Sequence, residues 1–576
     1  MKAKLPLPWI TVLFLLTIYF LYKDANSDQI NEYQKASFSF IKCTPAKFML
    51  NGVDTTKQIS PLFNNLGNLH FPIATENERA QQFFDQGIKL SYAFNHAEAH
   101  RSFLEASRLD SKSAMAYWGQ AYALGPNIND PLPDEQRKTK INEALVMANK
   151  LTPTANKKEQ ALIKALNARY STDLDMDPDL LDLAYFKEME KVVVQYPNDA
   201  NILILFAQSA MNTTRWNYWD KNGNPGPNIK AAKTALEKAM ELEPENPGGH
   251  HYYIHMVELP HPDMGVKSAD KLASLMPGAG HIVHMPSHIY IRVGRYLDAV
   301  KTNQTAIAAD EDYIAQCFSQ GLYPLAYYPH NIHFLWSSAS LLGASEIAID
   351  AAKKTAEKVP VGELKELPFL QDFAATPLLA YTRFGKWNQI LTIPAPDSEI
   401  KHLNLIRHYA RGIAFIRKGN LKKAQEELEA LESIRKDPEL ETLVATANNA
   451  SIRSAHIAYE VVAGELEASK GNHDQAIMHL EKAVELEDGL TYTEPAAWHI
   501  PTRQNLGAVL LKAKQYDKAK TIFKEDLDVL RQNGWSLMGL YQALQFQNKS
   551  EEAKAIKAEF DKAWEHADIK IETSVL

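Results

Sequence analysis

Punctuation recurs along this chain at a period near 34 residues, and it dictates the architecture. Gly385-Lys386-Trp387 and Gly419-Asn420-Leu421 stand 34 residues apart, each closing one apolar stretch of helical period and opening another. Gly294-Arg295-Tyr296-x-x-Ala299, Gly471-Asn472-His473-x-x-Ala476 and Lys514-Gln515-Tyr516-x-x-Ala519 repeat the device. Helix ends recur as Leu109-Asp110, Leu242-Glu243-Pro244, Leu275-Met276-Pro277 and Leu486-Glu487-Asp488. Alternating β-branched runs bounded by Asn-Gly or Gly-x turns are almost missing. Self-similarity at this period implies a helical solenoid, in which each helix pair buries its apolar face only against its neighbours.

These turn-plus-Ala units make the chain resemble the tetratricopeptide repeat family over most of residues 80–565. The clearest repeats lie around Tyr92 to Leu109, Ile289 to Ala308, Ile413 to Leu431, Val462 to Leu486 and Leu506 to Leu527. The resemblance implies an all-α, right-handed superhelix whose first helices line a concave face. Two stretches depart from a regular array and read as insertions: residues 212–228, with Trp216, Tyr218 and Trp219, and residues 310–329. They are expected to decorate, cap or gate one face. The phrases His70-Phe71-Pro72-Ile73, Ala114-Met115-Ala116-Tyr117-Trp118-Gly119, Leu124-Gly125-Pro126-Asn127-Ile128-Asn129 and His284-Met285-Pro286-Ser287-His288-Ile289-Tyr290 also resemble a group of bacterial repeat proteins defined by sequence. That resemblance implies fold rather than activity.

The histidines are in register with the repeat. Nine of 19 fall between His250 and His333. His251 and His255 follow Pro244 by seven and eleven residues, and His284 and His288 follow Pro277 by the same distances. His281 and His284 precede Gly294 by thirteen and ten residues, as His330 and His333 precede Gly343. Residues at i, i+3, i+4 and i+7 share one helical face. That rule puts His251 with His255, His281 with His284 and His288, and His330 with His333. The tetratricopeptide resemblance places these groups on three successive first helices. Neighbouring helices lie about 8–10 Å apart, close enough for their imidazoles to share an ion.

Seven imidazoles point to a transition metal such as zinc, copper or iron, because calcium and magnesium prefer oxygen. They exceed what one tetrahedral ion needs, so either two metals bind or some histidines orient ligands or bind substrate. Glu258, one turn after His255, is the candidate general base toward a metal-bound water. Met256 and Met285 each adjoin a histidine and so point elsewhere, which disfavours a thioether copper site. Pro286 either kinks its helix or marks the helix start, which would move His281 and His284 into a loop. Tyr252, Tyr253, Tyr290, Tyr328 and Trp336 offer an alternative, an aromatic peptide groove in which the histidines are hydrogen-bonding partners. His250 should face away from the site and His261 should lie in a loop. His70 is a candidate cap, and Trp498-His499 reads as a helix start.

At the N-terminus, Lys2 and Lys4 precede an apolar run from Leu5 to Tyr22 that lacks a small-x-small cleavage site. The expectation is an uncleaved signal-anchor over residues 1–25, a linker over 26–79 and the array over 80–570, exported and membrane-tethered in a periplasmic or other extracytoplasmic space. Cleavage would instead give a secreted protein. Cys43 and Cys317, the only cysteines, can pair there or stay separate. A formal charge of −8 without a basic run disfavours nucleic acid as a partner. Asp220 to Asn224 faintly resembles a calcium loop but lacks the closing glutamate. Serine-hydrolase elbow, phosphate-loop, dinucleotide and H-E-x-x-H motifs are missing too. The leading expectation is a metal-dependent enzyme, hydrolytic or oxidative. The alternatives are a scaffold binding a peptide or protein in the groove, and an envelope metal store or delivery protein.

Overall fold

The computed structural model describes residues 56–171, 176–220, 222–316, 323–446 and 448–576. Within them the chain is an all-helical array of paired helices, and most pairs turn in one way. At Phe94, Gly294, Gly343, Gly385, Gly419, Gly471, Lys514 and Asn548 the backbone takes a positive φ, from 56° to 86°. The next N–H then bonds to the carbonyl five positions back: Asn95 to Leu90 at 2.9 Å, Arg295 to Tyr290 at 2.8 Å, Ala344 to Ala339 at 3.0 Å. This left-handed residue closes the first helix by satisfying a carbonyl that would otherwise lack a partner. Glycine fits it best, having no Cβ to clash, so the recurrent glycines of the sequence are the turns themselves.

Close approach sets how successive pairs stack. Phe103, on the second helix His96–Leu109, wedges between Gly87 and Gly119 on the flanking first helices. Phe523 does the same between Gly507 and Gly539 near the other end. A Cβ at any of these four glycines would lie 2.2 to 2.5 Å from the ring, so an alanine there would force the helices apart. Among the described residues the strands are confined to one short antiparallel pair, Val444–Thr446 with Asn449–Ala450.

The apolar interior has two main parts. One draws on residues from Leu66 to Ala299, the other on residues from Ile291 to Ile571. The segment 286–316 serves both, with Ile289 and Tyr290 in the first part and Ile291 and Tyr296 in the second. The array also curls back on itself. Arg531 forms a two-pronged contact with Asp263 at 2.7 and 2.9 Å, and the Tyr296 hydroxyl donates to the Arg531 carbonyl at 2.8 Å. The fully buried Trp535 donates from Nε1 to the Ser340 carbonyl at 3.0 Å, with the Arg383 guanidinium 3.7 Å over its ring. Gly343 lies so close to Trp564 that a Cβ would be 2.5 Å from the indole. The C-terminal helices are thus seated on the turns of the central ones.

Among the described residues no helix is long and apolar enough to cross a membrane. The expected anchor over 1–25, Cys43 and Cys317 lie outside the described residues. Residues 213–220 and 222–226 leave helical conformation between the helices Ala200–Asn212 and Pro227–Leu242, as an insertion should. In the 310–329 stretch, the helix Tyr296–Gln316 continues through Asp310 to Gln316, and a π-helical turn at Tyr323–Tyr327 leads into the helix Tyr328–Leu342.

The curl has a testable cost. Trp535→Ala should destabilise the chain by about 3–5 kcal/mol, the loss typical of a buried aromatic, read as a lower urea midpoint. A loss below about 1 kcal/mol would mean that the return contact contributes little.

Candidate metal centre

Three neighbouring helices bring the histidines together. The helix Pro247–Val257 starts on Asn246, whose side chain accepts from the Gly248 N–H at 3.1 Å, and every residue in it is buried. Gly248 permits that burial, because a Cβ there would lie 2.6 Å from the Tyr92 ring. The next stretch is split: Gly280–His284 and Pro286–Arg292 are helical, with Met285 between them. Proline has no N–H to continue the ladder, yet the interruption lasts one residue. His281 and His284 therefore remain in helical backbone and are not displaced into a loop. The third helix is Tyr328–Leu342.

Six of the seven predicted histidines form two adjoining groups. Ligand-capable atoms of His251, His255 and His281 all lie within 4.8 Å of one another, and so do those of His284, His288 and His330. Ring centroids are 4.8 Å apart for His251 and His255, 5.0 Å for His251 and His281, and 4.9 Å for His284 with both His288 and His330. The groups touch through His255 with His288 at 5.7 Å and His281 with His284 at 5.9 Å. The structure does not bring His333 to either group. Its ring stacks on Trp336 at 4.9 Å and meets the edge of Phe373 at 5.2 Å.

A third close group contains Glu258, His288 and Glu494. Glu258 Oε2 lies 2.7 Å from His288 Nδ1 but out of line for a hydrogen bond, and its Oε1 lies 3.5 Å from His255 Nδ1. Glu494 Oε2 is 3.3 Å from the same His288 nitrogen. Glu258 sits just past the C-terminus of its helix, where the helix dipole disfavours a carboxylate, so the neighbouring imidazoles must offset that cost.

Hydrogen bonds fix the tautomers of two rings. His251 Nδ1 contacts the Tyr92 carbonyl at 2.5 Å, and because a carbonyl only accepts, this nitrogen carries the proton and Nε2 is left with a lone pair. His284 Nδ1 lies 2.6 Å from Asn303 Oδ1 and must likewise donate, which turns its Nε2 toward His288 Nε2 at 3.0 Å. Carbonyl and amide partners of this kind are what metal-ligating imidazoles use on their far nitrogen. His251 Nε2 and both nitrogens of His255 and of His281 are buried without a hydrogen bond. Leaving buried polar atoms unpaired costs about 1–3 kcal/mol each, so five in one cluster call for an occupant.

The surroundings are apolar. Phe94 stacks on His255 at 5.6 Å and on His281 at 5.2 Å, Trp216 meets His255 edge-on at 5.2 Å, and Tyr327 packs on His281 at 4.9 Å. Phe334 covers His284 and His288 at 4.9 and 4.8 Å. Both expected insertion regions thus contribute a ring to the cover. Burial, reinforced by neighbouring imidazoles, holds His251, His281, His284 and His330 well below the ordinary histidine range and therefore neutral. Burial also lowers His255, against the pull of Glu258. It would lower His288 as well, but the carboxylates of Glu258 and Glu494 reverse the sign and raise it. Burial alone would raise Glu258; the facing imidazoles pull it below the usual carboxylate range and keep it ionised.

Several expectations fall elsewhere. His70 does not cap the centre: its side chain is 58% exposed and pairs with Asp85 at 2.8 Å. Trp498-His499 is not a helix start, since residues 489–501 are irregular and the helix begins at Thr502 after Pro501. His250 faces away, bonded to Ser268 and the Pro244 carbonyl, and His261 precedes its helix and contacts the Gly223 carbonyl. Asp220 is occupied by the backbone N–H groups of Asn222 and Asn224, a local turn. Glu494, Phe94 and Asn303 were not singled out by the sequence. Only Glu494 carried a signal, in the unusually long connection between the helices His473–Asp488 and Thr502–Lys512.

No family model matches the chain, and no curated protein does. Among solved structures, a human IFIT1 dimer with m7Gppp-AAAA is similar at 15% identity over 79% of this chain and 91% of that one, with a TM-score of 0.33. Yeast Tom70 is similar at 13% identity over 84% and 90%, with a TM-score of 0.28. The P58(IPK) TPR domain is similar at 12% identity over 82% and 99%, with a TM-score of 0.21. Overlaps this loose say nothing of ligand or activity.

The electrostatics predict a pH response. As pH falls through about 6.5, histidines of the unfolded chain take up protons that the buried neutral rings refuse, so stability drops below that pH. His288 has the opposite sign: its contribution is complete below about 6.5 and is lost as pH rises through its elevated folded value. Five depressed rings outweigh one raised ring. In chelator, the free energy of unfolding should fall by at least about 2 kcal/mol between pH 7 and pH 5 in urea titrations. A flat profile would contradict the burial of neutral imidazoles.

Proposed function

We propose that this chain is a metal-dependent enzyme whose centre holds one or two transition-metal ions. The observation that carries the reading is the pair of three-histidine groups in contact, with five buried imidazole nitrogens of the first group left without a hydrogen bond. His251, His255 and His281 would hold one ion, and His284, His288 and His330 a second. Imidazole donors suit zinc, copper or iron, and neutral rings are the form that binds. A bound ion supplies Lewis acidity in the zinc case and redox chemistry in the copper or iron case. His333 takes no part in this assignment.

The protein's own groups do the rest. Asn303 and the Tyr92 carbonyl hold His284 and His251 by their far nitrogens, which fixes the direction of the free lone pairs. Glu258 and Glu494 flank His288 and supply the anionic charge that a divalent ion on neutral ligands calls for. Glu258, already ionised, is the proton acceptor of the centre. Phe94, Trp216, Tyr327 and Phe334 exclude water and so strengthen every electrostatic contact inside. Such burial favours a resident ion over a store that exchanges freely. The repeat scaffold, of tetratricopeptide type and right-handed in this reading, presents the centre on its inner helices, and the exported, membrane-tethered location belongs to the same proposal.

Elemental analysis tests it. Chain prepared without chelator or histidine tag should carry one or two equivalents of one transition metal. His284→Ala/His288→Ala should lose at least half of that content while keeping its circular dichroism, and His333→Ala should keep all of it. An unloaded wild type that also refuses zinc, copper and iron on reconstitution would sink the reading.

A further inference from the structure

A cavity of about 380 Å³ lies between the central helices and the returning C-terminal ones, and Glu494, which flanks His288 of the histidine centre, is part of its wall. Its walls are largely apolar, including Ile291, Leu341, Leu490 and Leu530 with the faces of Trp336 and Trp498. Volume and lining are those of a small-molecule pocket. Set into the walls are donors without hydrogen bonds, beside the similarly unbonded oxygens of Glu494. The indole N–H groups of Trp336 and Trp498, at residues 4% and 3% exposed, make no hydrogen bond, nor does Arg292 Nε.

Arg383 sharpens the pattern. It is 3% exposed and lines the cavity, yet its hydrogen-bond partner among the described residues is the neutral Gln504 and not a carboxylate. Its Nη1 donates to Gln504 Oε1 at 2.8 Å, and its face is covered by Trp535. Burial without a counter-ion depresses it to about 9, only partly opposed by Asp526. The acids on the same wall other than Glu494 have their own partners. Glu487 accepts from Thr502, Asp526 accepts from Ser536, Gln504 and Asn533, and Asp488 pairs with Arg503. A buried guanidinium without a carboxylate is expensive, and the usual remedy is an anion from outside.

We infer that this cavity binds a small organic carboxylate with an apolar body, the headgroup on Arg383 and the body between Trp336 and Trp498. A planar guanidinium and a carboxylate pair in a fork, and the indole N–H groups add donors on one side. Glu494 joins the pocket to the metal centre: it lines the cavity, with one oxygen 3.3 Å from His288 and the other 3.8 Å from Arg292. The bound acid is therefore the substrate class of that centre, a step that rests on the metal reading above, whereas acid binding itself does not.

Calorimetry on the full chain separates the two. Metal-free protein should bind 4-phenylbutyrate at least about tenfold more tightly than 4-phenylbutan-1-ol, which has the same body without the charge. Arg383→Gln should abolish that preference; Arg383→Lys should keep it. Equal binding of acid and alcohol, no binding of the acid at millimolar concentration, or an intact preference in folded Arg383→Gln overturns the pocket. Should Arg383→Gln fail to fold, Trp498→Phe removes one donor and keeps a ring; it should weaken the acid alone by about threefold or more, and no change overturns the pocket. In metal-loaded protein the acid affinity should shift by at least about threefold through the shared Glu494. If both ligands bind and neither affects the other, the link to the centre falls and the pocket stands.

Discussion

Trp535 is where the two halves of the chain are tied together. Its indole is fully enclosed, bonded to the Ser340 carbonyl and covered by Arg383. That contact, with Arg531 on Asp263 and Trp564 on Gly343, holds the helices after about residue 500 against the central ones and brings the connection 489–501 to the histidines. Glu494, the cavity and the outer wall of the centre all follow from it. In an ordinary helical array each unit touches only its neighbours. Here Arg531 reaches Asp263 and Asp568 reaches Ser345, contacts across more than two hundred residues of sequence.

The centre combines a local logic with a distant one. Spacing within single helices groups His251 with His255, and His281 with His284 and His288. Stacking of neighbouring helices then adds His281 to the first pair and His330 to the second. Charge comes from two sources, Glu258 at the end of the first of these helices and Glu494 from the far connection. Both converge on His288, the one ring in the cluster held above its ordinary range, while rings with no carboxylate beside them are held neutral. The same carboxylates that make His288 a cation in the bare protein are the counter-charge a bound ion would need.

Much of this was legible in the sequence, because helical period and repeat register are local properties. The i, i+3 and i, i+4 spacings place side chains on one face whatever the rest of the chain does, and the glycines mark turns that need a left-handed residue. His333 shows where that logic stops: it shares a helix with His330, but Trp336 and Phe373 hold its ring apart from the clusters. His70 looked like a cap and is instead held by Asp85. Trp498-His499 looked like a helix start and instead lines the cavity, because residues 489–501 are shaped by the curl of the array. Glu494 and Arg383 could not be read as site residues, since their importance depends on a packing between elements more than a hundred residues apart.

Phe94 stands where most of the other turns carry glycine, with φ at 56° in a region that costs a side chain about 1 kcal/mol or more. Its ring stacks on His255 and His281. Repeat arrays commonly drift in length, since gaining or losing a whole unit leaves every remaining interface intact. This chain has given up that freedom. A unit inserted between Phe94 and His251 would draw the ring out of the cluster, and one inserted between His288 and Glu494 would carry the carboxylate past its imidazole. The number of units between these points is therefore locked, and sequence change here is confined to substitutions within a count already set.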